Sequence, residues 1–567
     1  MQNTLKLTRM KKIKNSSLLA FFSFIFAFGI FISCKEELQL KSMPNLFRPI
    51  NFNVTLNKTI VTIAWAPVDS AVSYTLQIST DSLYKNMIVD TTTTLLSYTK
   101  ELAGETTFYA HIRANARDTS VTKNSFYNRK FSNSDLSFKT PKENLFLGFG
   151  TSNNTGTIYS AYMTDINTLD VKWTPQANVT HLILSSADGN LKDSVVISAA
   201  EAKAGEKVVP SLSNSNWKVR IYNNNILRGT TYGLIEGDIV ISSGGDISAA
   251  ITNAAAGQVI LLAGGNNYTI GNAEYKFSKN VKIRSASPVN RSVVSMTTLT
   301  GTTPPSSTSS MMSVVASAAL DSLVFENIDF TGFCDNNTAS TKIGYLFSNK
   351  VACNVNTIKF TNCNIHNFGN TPFRLSGGVS QRVSNLYFRG CIINETGYSS
   401  VYAIVNSNSA DYVDNITFSY CTVYNIKGSL ILRTGAYTMG SINISNCSFN
   451  QGMQDTGSAR YFIDANNMTI TSGINIKNCI FGSSGATMGA NGIRVTTGTK
   501  TITGCYFATD YVDDPIPAPV TSTSIKSKMT PYSGASTSLW NNPVSGDFTL
   551  KDAAFPGKGT AGDLRWY

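Results

Sequence analysis

The 567-residue sequence is poor in charged side chains, which make up 14% of it, and it contains only three histidines. His111, His181 and His366 are scattered over what the strand pattern indicates are three domains. The pattern therefore predicts neither a catalytic triad nor a metal site built from histidine. The net charge of +12 includes no block of Lys and Arg of the kind that nucleic-acid-binding proteins carry, so we expect no nucleic-acid partner.

Sequence patterns typical of helices are also scarce, whereas Asn, Ser, Thr and Gly are plentiful. This composition is typical of an all-β extracytoplasmic protein. The one long apolar run, from Leu18 to Ile32, is too short for a comfortable membrane span. A basic stretch precedes it, so residues 1–33 are predicted to be a signal peptide. The five basic residues that precede Cys34 leave the mature chain with about +7.

Ser33-Cys34 follows the apolar run, and Lys35-Glu36-Glu37 follows the cysteine. This arrangement resembles a bacterial lipoprotein signal with Cys34 as the lipidated residue, although Phe31 stands where Leu is usual. The acidic triplet resembles the export tag of surface lipoproteins in Gram-negative glycan degraders. The resemblance implies an outer-membrane, cell-surface lipoprotein in which residues 34–43 form the lipidated Cys and tether. The alternatives are a secreted protein and an inner-facing lipoprotein.

Two segments with alternating strand patterns come next. In residues 44–141, Trp65 lies on an early strand, Tyr74 lies on the following strand, and Phe108–Ala114 forms a late strand. This resembles a fibronectin type III sandwich, and the absence of a Cys pair excludes a disulfide-linked immunoglobulin domain. Residues 144–238 repeat the pattern more loosely around Trp173 and Trp217. We interpret both as spacer or docking sandwiches.

A ladder of six cysteines dominates the rest of the chain, each within a similar phrase such as Ile358–Ile365. Their spacings of 26 to 32 residues are typical of a solenoid. Within each phrase the strand alternation breaks just before the cysteine, where Asn or Gly stands in five of six repeats. These residues tolerate the left-handed conformation, so each repeat is predicted to form strand, one-residue bend, strand. The ladder consists of Cys363, Cys391, Cys421, Cys447, Cys479 and Cys505.

Stacked repeats of this kind would place the cysteines in one interior column, as small buried thiols. The start of the region, with a short helical pattern at Asp246–Ile251 followed by Gly turns and strands, resembles that of pectate-lyase-like right-handed β-helices. The resemblance implies that residues 239–567 form a right-handed parallel β-helix. We expect a surface loop at 301–315, an irregular Pro/Ser/Thr-rich excursion at 508–540, and a C-terminal seal that lays Trp540, Phe548 and Phe555 along the last coils.

A second strand recurs between the ladder phrases. Its alternation places Arg374 and Arg494 outward, while Arg433 and Asp464 follow an apolar pair at a strand end. If the repeats are in register, these residues share a face with Tyr402 and Tyr461. Arginines and aromatic rings on one face suit an acidic polysaccharide. The alternative for any single arginine is a solvated strand position. The candidate ligand-binding residues are Arg374, Arg433, Arg494, Tyr402, Tyr461 and Asp464.

The whole arrangement resembles a largely uncharacterised family of surface lipoproteins from glycan-utilisation loci. The resemblance implies capture of a polysaccharide, in the company of other glycan-uptake components, without a cofactor. The first alternative is a polysaccharide lyase acting by β-elimination on uronate glycans with Ca²⁺; the second is an adhesin. Against a lyase, Asp411 and Asp414 merely flank a turn. Against a polygalacturonase-like hydrolase, Asp513-Asp514 lies in a Pro-rich stretch.

Overall fold

A computed structural model describes residues 43–128, 137–148, 151–152, 158–186, 189, 192–233, 237–271, 273–298, 305–399, 402–408, 410–452, 461–484, 492–513 and 522–567. The predicted signal peptide and the proposed lipidation site at Cys34 lie outside the described residues, as does the tether up to residue 42. The chain divides into two compact units, Met1–Pro141 and Lys142–Tyr567. Within the described ranges, no helix is both long and apolar enough to cross a membrane.

The first unit is a sandwich of two antiparallel sheets. One sheet contains Asn53–Asn57, Ile60–Ala64 and Ser97–Glu101, and the other contains Met87–Thr93, Ala71–Ser79, Thr107–Ala116 and Ser137–Lys139. Alternate residues of these strands, such as Leu76, Ile78 and Ile112, are buried between the sheets with Trp65 and Tyr74. The sandwich and its Trp–Tyr core therefore agree with the sequence prediction.

The imidazole of His111 stacks between the rings of Tyr84 and Tyr127, with centroid separations of 3.6 and 3.9 Å. Burial lowers the pKa of His111 from 6.5 to about 4. Between these values the unfolded chain binds more protons than the folded chain, so we expect the first unit to lose stability as pH falls from about 6.5 to about 4. Amide exchange in Ala71–Ser79 and Thr107–Ala116 measures this loss.

The control for this pH dependence is His111→Phe, which keeps an aromatic ring in the stack and does not titrate. Comparing the variant with the wild type at each pH cancels the intrinsic pH dependence of amide exchange. The difference in protection is expected to grow, in favour of the variant, as the pH falls. If protection in the two proteins changed in parallel between about pH 6.5 and about pH 4, His111 would not be the cause of the pH dependence.

The second unit begins with another antiparallel sandwich. Its sheets contain Ala161–Asp165, Thr168–Lys172 and Glu206–Val209 on one side, and Lys192–Val196, His181–Ser186, Trp217–Asn223 and Ile226–Gly233 on the other. A strand pair, Thr151–Ser152 with Ile158–Tyr159, and the helix α1 (Ala199–Ala204) accompany them. Trp173 and Trp217 are buried in this core, which also includes Leu261 and Ala286 of the region that follows. The second sandwich thus packs against the beginning of the third region.

The third region consists of three long parallel sheets, and successive repeats add one strand to each sheet in turn. Sheet A contains Ile239–Ile241, Val259–Leu262, Val281–Ser285, Ala319–Glu326, Asn354–Thr361, Arg382–Arg389, Tyr412–Ser419, Ser441–Ser445, Ile474–Lys477 and Lys500–Thr503. Sheet B contains Gly245–Asp246, Asn267–Thr269, Ser292–Ser295, Ile328–Thr331, Asn364–His366, Ile392–Thr396, Thr422–Ile426, Ser448–Asn450, Ile480–Phe481, Tyr506–Phe507 and Thr530–Pro531.

Sheet C contains Tyr275–Phe277, Ser310–Val314, Tyr345–Asn349, Thr371–Leu375, Val405–Asn408, Ile431–Thr434 and Ile463–Ile470; the last of these pairs with both Thr438–Met439 and Ile493–Thr497. This topology is compatible with the expected β-helix. The strand Ser310–Val314 is wholly buried, so the prediction of a surface loop over 301–315 is wrong for that part. The apolar side chains of Met311 and Met312, which the low-complexity composition obscured, account for this burial.

The bends between sheets A and B confirm the predicted break in the alternation. All six residues that precede a ladder cysteine have φ between 51° and 64°, including the bulky Tyr420. The six cysteines are at most 1% exposed. Every cysteine in the described ranges is a free thiol. Because Cys391 and Cys421 are wholly enclosed, desolvation raises the pKa of each thiol.

Short helices and non-strand segments cover the first and the last repeats of the three parallel sheets. The helix α2 (Ser248–Asn253) buries Ile251 against the first repeats, as the sequence predicts. At the other end, Tyr511, Ile525 and Met529 belong to the same core, so part of the 508–540 segment is packed on the last repeat. The helix α3 (Ser536–Leu539) and the hairpin of Trp540–Asn542 with Asp547–Leu550 follow.

The C-terminal segment covers the outer face of the last strands of sheet B. The ring of Phe548 lies 5.7 Å from that of Tyr424, and the ring of Phe555 lies 5.0 Å from that of Tyr506. The Trp566 indole N–H donates to Thr422 Oγ1 at 2.8 Å. Trp540, Phe548 and Phe555 therefore lie along the last repeats, and they pack on an outer sheet face.

Candidate functional site

The outer face of sheet C carries most of the predicted ligand-binding residues. Parallel pairing places Ser348, Arg374, Asn406, Leu432, Asp464 and Arg494 in one column. Phe373 and Leu375 are buried on either side of the partly buried Arg374, so its strand alternates as the sequence predicts. With about 4.8 Å between parallel strands, Arg374 and Arg494 lie roughly 19 Å apart along the column.

Arg374 is held between two tyrosines. Its guanidinium carbon lies 4.5 Å from the ring centroid of Tyr402 and 5.3 Å from that of Tyr345, and its Nη1 donates to the Tyr345 hydroxyl at 2.5 Å. Among the described residues Arg374 has no carboxylate partner, and its Nε has no hydrogen-bond acceptor. The site therefore presents a fixed guanidinium whose charge is not balanced by an acid in the described ranges.

Arg494 differs because Asp464 already pairs with it. The Nε and Nη2 of Arg494 donate to the two oxygens of Asp464 at 2.8 and 2.6 Å, and the Tyr461 ring lies 4.3 Å from its guanidinium carbon. These hydrogen bonds raise the pKa of Arg494 above its usual range. The cluster of Tyr461, Asp464 and Arg494 is therefore an internally neutralised pair stacked on a ring, less suited to an anionic ligand than Arg374.

Arg433 is the exception among the predicted residues, and placing it on the ligand-binding face is wrong. It pairs with Ser407, whereas Leu432 takes the outward position, so Arg433 points into the repeat and is 1% exposed. Its Nη1 donates to Ser407 Oγ at 2.8 Å and to the Asp411 carbonyl oxygen. Desolvation lowers its pKa to about 10. The arginine is a buried structural cation.

Sequence reasoning placed Tyr402 on the face of Arg374 but missed Tyr345. Tyr345 stands three residues before Ser348, just as Tyr461 stands three residues before Asp464, and both Ser348 and Asp464 belong to the column. This shared spacing is the feature of the sequence that could have identified Tyr345. Lys342 and Lys427 lie 5.4 and 4.9 Å from the ring of Tyr398, which is 42% exposed. These cations come from different repeats, so only the stacking of the repeats brings them to one ring.

The acidic groups and the histidine considered earlier have structural partners. Asp411 accepts hydrogen bonds from the backbone N–H groups of Gly378 and Val379, and Asp414 pairs with Arg382 at 2.6 Å. His366 pairs with Asp329 at 2.6 Å on sheet B, away from the arginine column. Within the described ranges, no group of three or more His, Cys, Asp or Glu side chains is placed to hold a metal ion.

Residues 442–566 match the model of a family described as a domain of unknown function, DUF5123. This match spans the last repeats and the C-terminal segment that covers sheet B. No curated protein matches the chain.

Among solved structures, a two-domain fibronectin type III segment of chicken tenascin shares 14% identity, covering 34% of this chain and 99% of its own, with a TM-score of 0.16. The FN1–FN3 domains of chicken CNTN1 share 13% identity, covering 34% of this chain and 68% of theirs, with a TM-score of 0.14. The strand pairing within the two antiparallel sandwiches, rather than this likeness, identifies their fold.

Proposed function

We propose that this chain is a surface-anchored lipoprotein that binds an acidic, pectin-like polysaccharide on a right-handed parallel β-helix. Arg374 carries the proposal: its guanidinium has no acidic partner in the described ranges and lies between the rings of Tyr345 and Tyr402. A carboxylate can pair with the guanidinium while a sugar ring stacks on an aromatic face.

The remaining parts of the proposal follow from the sequence. Cys34 would carry the lipid that ties the chain to the outer membrane, and the two sandwiches, fibronectin type III-like in pattern, would serve as spacers. Other components of a glycan-uptake system are the expected partners. Capture of the polymer would precede its cleavage or import by those partners.

Arg374→Met is expected to weaken binding to polygalacturonate about ten-fold, the equivalent of roughly 1.4 kcal/mol. The variant removes the unbalanced charge and keeps an unbranched side chain between the two rings. Affinity electrophoresis of the chain that follows Cys34, in gels containing polygalacturonate, alginate, chondroitin sulfate or rhamnogalacturonan, measures the effect. The matched control is the double variant Asp464→Asn/Arg494→Met, which removes an ion pair without changing the net charge of the face and is expected to change binding less.

The same samples distinguish binding from β-elimination. A lyase would generate unsaturated uronate, whose ultraviolet absorbance rises with time, and the assay is run with and without Ca²⁺. Retarded migration without such absorbance supports glycan binding. An absorbance rise that Arg374→Met abolishes would instead establish a polysaccharide lyase, and the absence of both signals would favour an adhesin.

A further inference from the structure

A cavity of about 490 Å³ lies over the outer face of the first three strands of sheet C. Lys276, Ser313 and Ser348, one residue from each strand, form its floor, and Lys350 and Glu274 lie at its edge. The volume is within the range of roughly 300–1,000 Å³ that small-molecule sites occupy. Ser348 pairs directly with Arg374 in the next strand, so the cavity continues the face that carries the arginine.

The floor of the cavity contains two hydroxyl groups without hydrogen bonds. Ser313 and Ser348 are 3% and 2% exposed, and neither Oγ has a partner among the described residues. Buried hydroxyls are normally paired, and leaving them unpaired is unfavourable. Both serines line the cavity, so a polyhydroxylated ligand seated there would supply donors and acceptors to hydroxyls that turn toward it.

The charges around the cavity favour an acidic ligand. Lys276 and Lys350 are exposed, and only Lys276 has a nearby carboxylate in the described ranges, that of Glu274 at 3.7 Å. One strand spacing, about 4.8 Å, separates Ser348 from Arg374 along the column. We infer that the cavity binds a carboxylated sugar residue that adjoins the residue bound at Arg374. This inference rests on the proposed function and adds a second subsite to it.

The test measures binding of saturated trigalacturonate and of polygalacturonate by calorimetry to the chain that follows Cys34. Ser348→Leu fills the floor of the cavity and is expected to weaken trigalacturonate binding about ten-fold. The double variant Lys276→Gln/Lys350→Gln changes only exposed side chains and is expected to weaken trigalacturonate binding several-fold. It therefore tests the second subsite even if Ser348→Leu fails to fold. Lys558→Gln, an exposed lysine of the C-terminal segment, is the matched control and is expected to bind as the wild type does.

The outcomes separate the two proposals. Wild-type affinity for trigalacturonate in both cavity variants would overturn the second subsite, and loss of polymer binding in Arg374→Met would then still support the proposed function. Weakened binding in the cavity variants, with Lys558→Gln unchanged, supports the subsite. A wild-type protein that binds neither ligand would overturn both.

Discussion

Arg433→Glu is expected to lower the free energy of unfolding by about 3–5 kcal/mol, because it replaces a buried cation with a buried anion. The Asp411 carbonyl oxygen, which now accepts a hydrogen bond from Arg433, would face a carboxylate that cannot donate one. Asp411 and Asp414 are close enough to favour the charge of Arg433 and would oppose a negative charge in its place. Urea denaturation followed by circular dichroism measures the change.

Two neighbouring substitutions serve as controls for Arg433→Glu. Leu432→Gln changes the adjacent, outward residue of the same strand and is expected to cost less than about 1 kcal/mol. Arg433→Met removes the charge while keeping an unbranched chain, and is expected to cost much less than glutamate because neutral replacements of buried ions are often tolerated. Equal stability of Arg433→Glu and Leu432→Gln would contradict the inward orientation of Arg433.

Phe388→Ala is expected to cost about 3–5 kcal/mol, the range for removing a fully buried phenylalanine. Phe388 is in the middle of a column of stacked rings inside sheet A. Its centroid lies 5.2 Å from that of Phe360 and 4.8 Å from that of Phe418, with interplanar angles of 6° and 12°. The alanine variant would leave a cavity between two rings that the stacked repeats hold in place.

The adjacent outward residue again provides the comparison. Tyr387→Ala removes a larger side chain from the partly exposed side of the same strand and is expected to cost far less than Phe388→Ala. Phe388→Leu, which keeps most of the volume, is expected to cost less than about 1.5 kcal/mol. A Phe388→Ala variant no less stable than Tyr387→Ala in urea denaturation would refute the role of the ring column.

The fold was predicted most accurately where the same type of residue recurs at the same position of each repeat. Each ladder cysteine follows a residue with positive φ, and that residue is Asn or Gly in five repeats because few other types adopt this conformation without strain. The local pattern therefore predicted both the bend and the burial of the cysteine. The strand Ser310–Val314 was missed because its serines and methionines give no alternation, and its burial depends on pairing with Tyr345–Asn349.

Only part of the candidate site could be predicted, because the direction of a side chain follows from the sequence only where apolar and polar residues alternate. Arg374 lies between two apolar residues, so alternation alone gives its direction. Arg433 follows Leu430, Ile431 and Leu432, a run without alternation, and only its pairing with Ser407 shows that it points inward. The neutralisation of Arg494 by Asp464 was also hidden, because the two residues are 30 positions apart and meet only through the register of adjacent repeats.

The sequence by itself determined the all-β composition, the repeat, the position of the left-handed bends and the identity of the buried column, because each depends on the conformational preference or polarity of single residues. The tertiary structure decided which repeats are neighbours and in which register. That register brings Tyr345, Arg374 and Tyr402 together, turns Arg433 inward, and places Ser313 and Ser348 beneath one cavity. Contacts between stacked repeats join residues some 30 positions apart, and no local pattern encodes them.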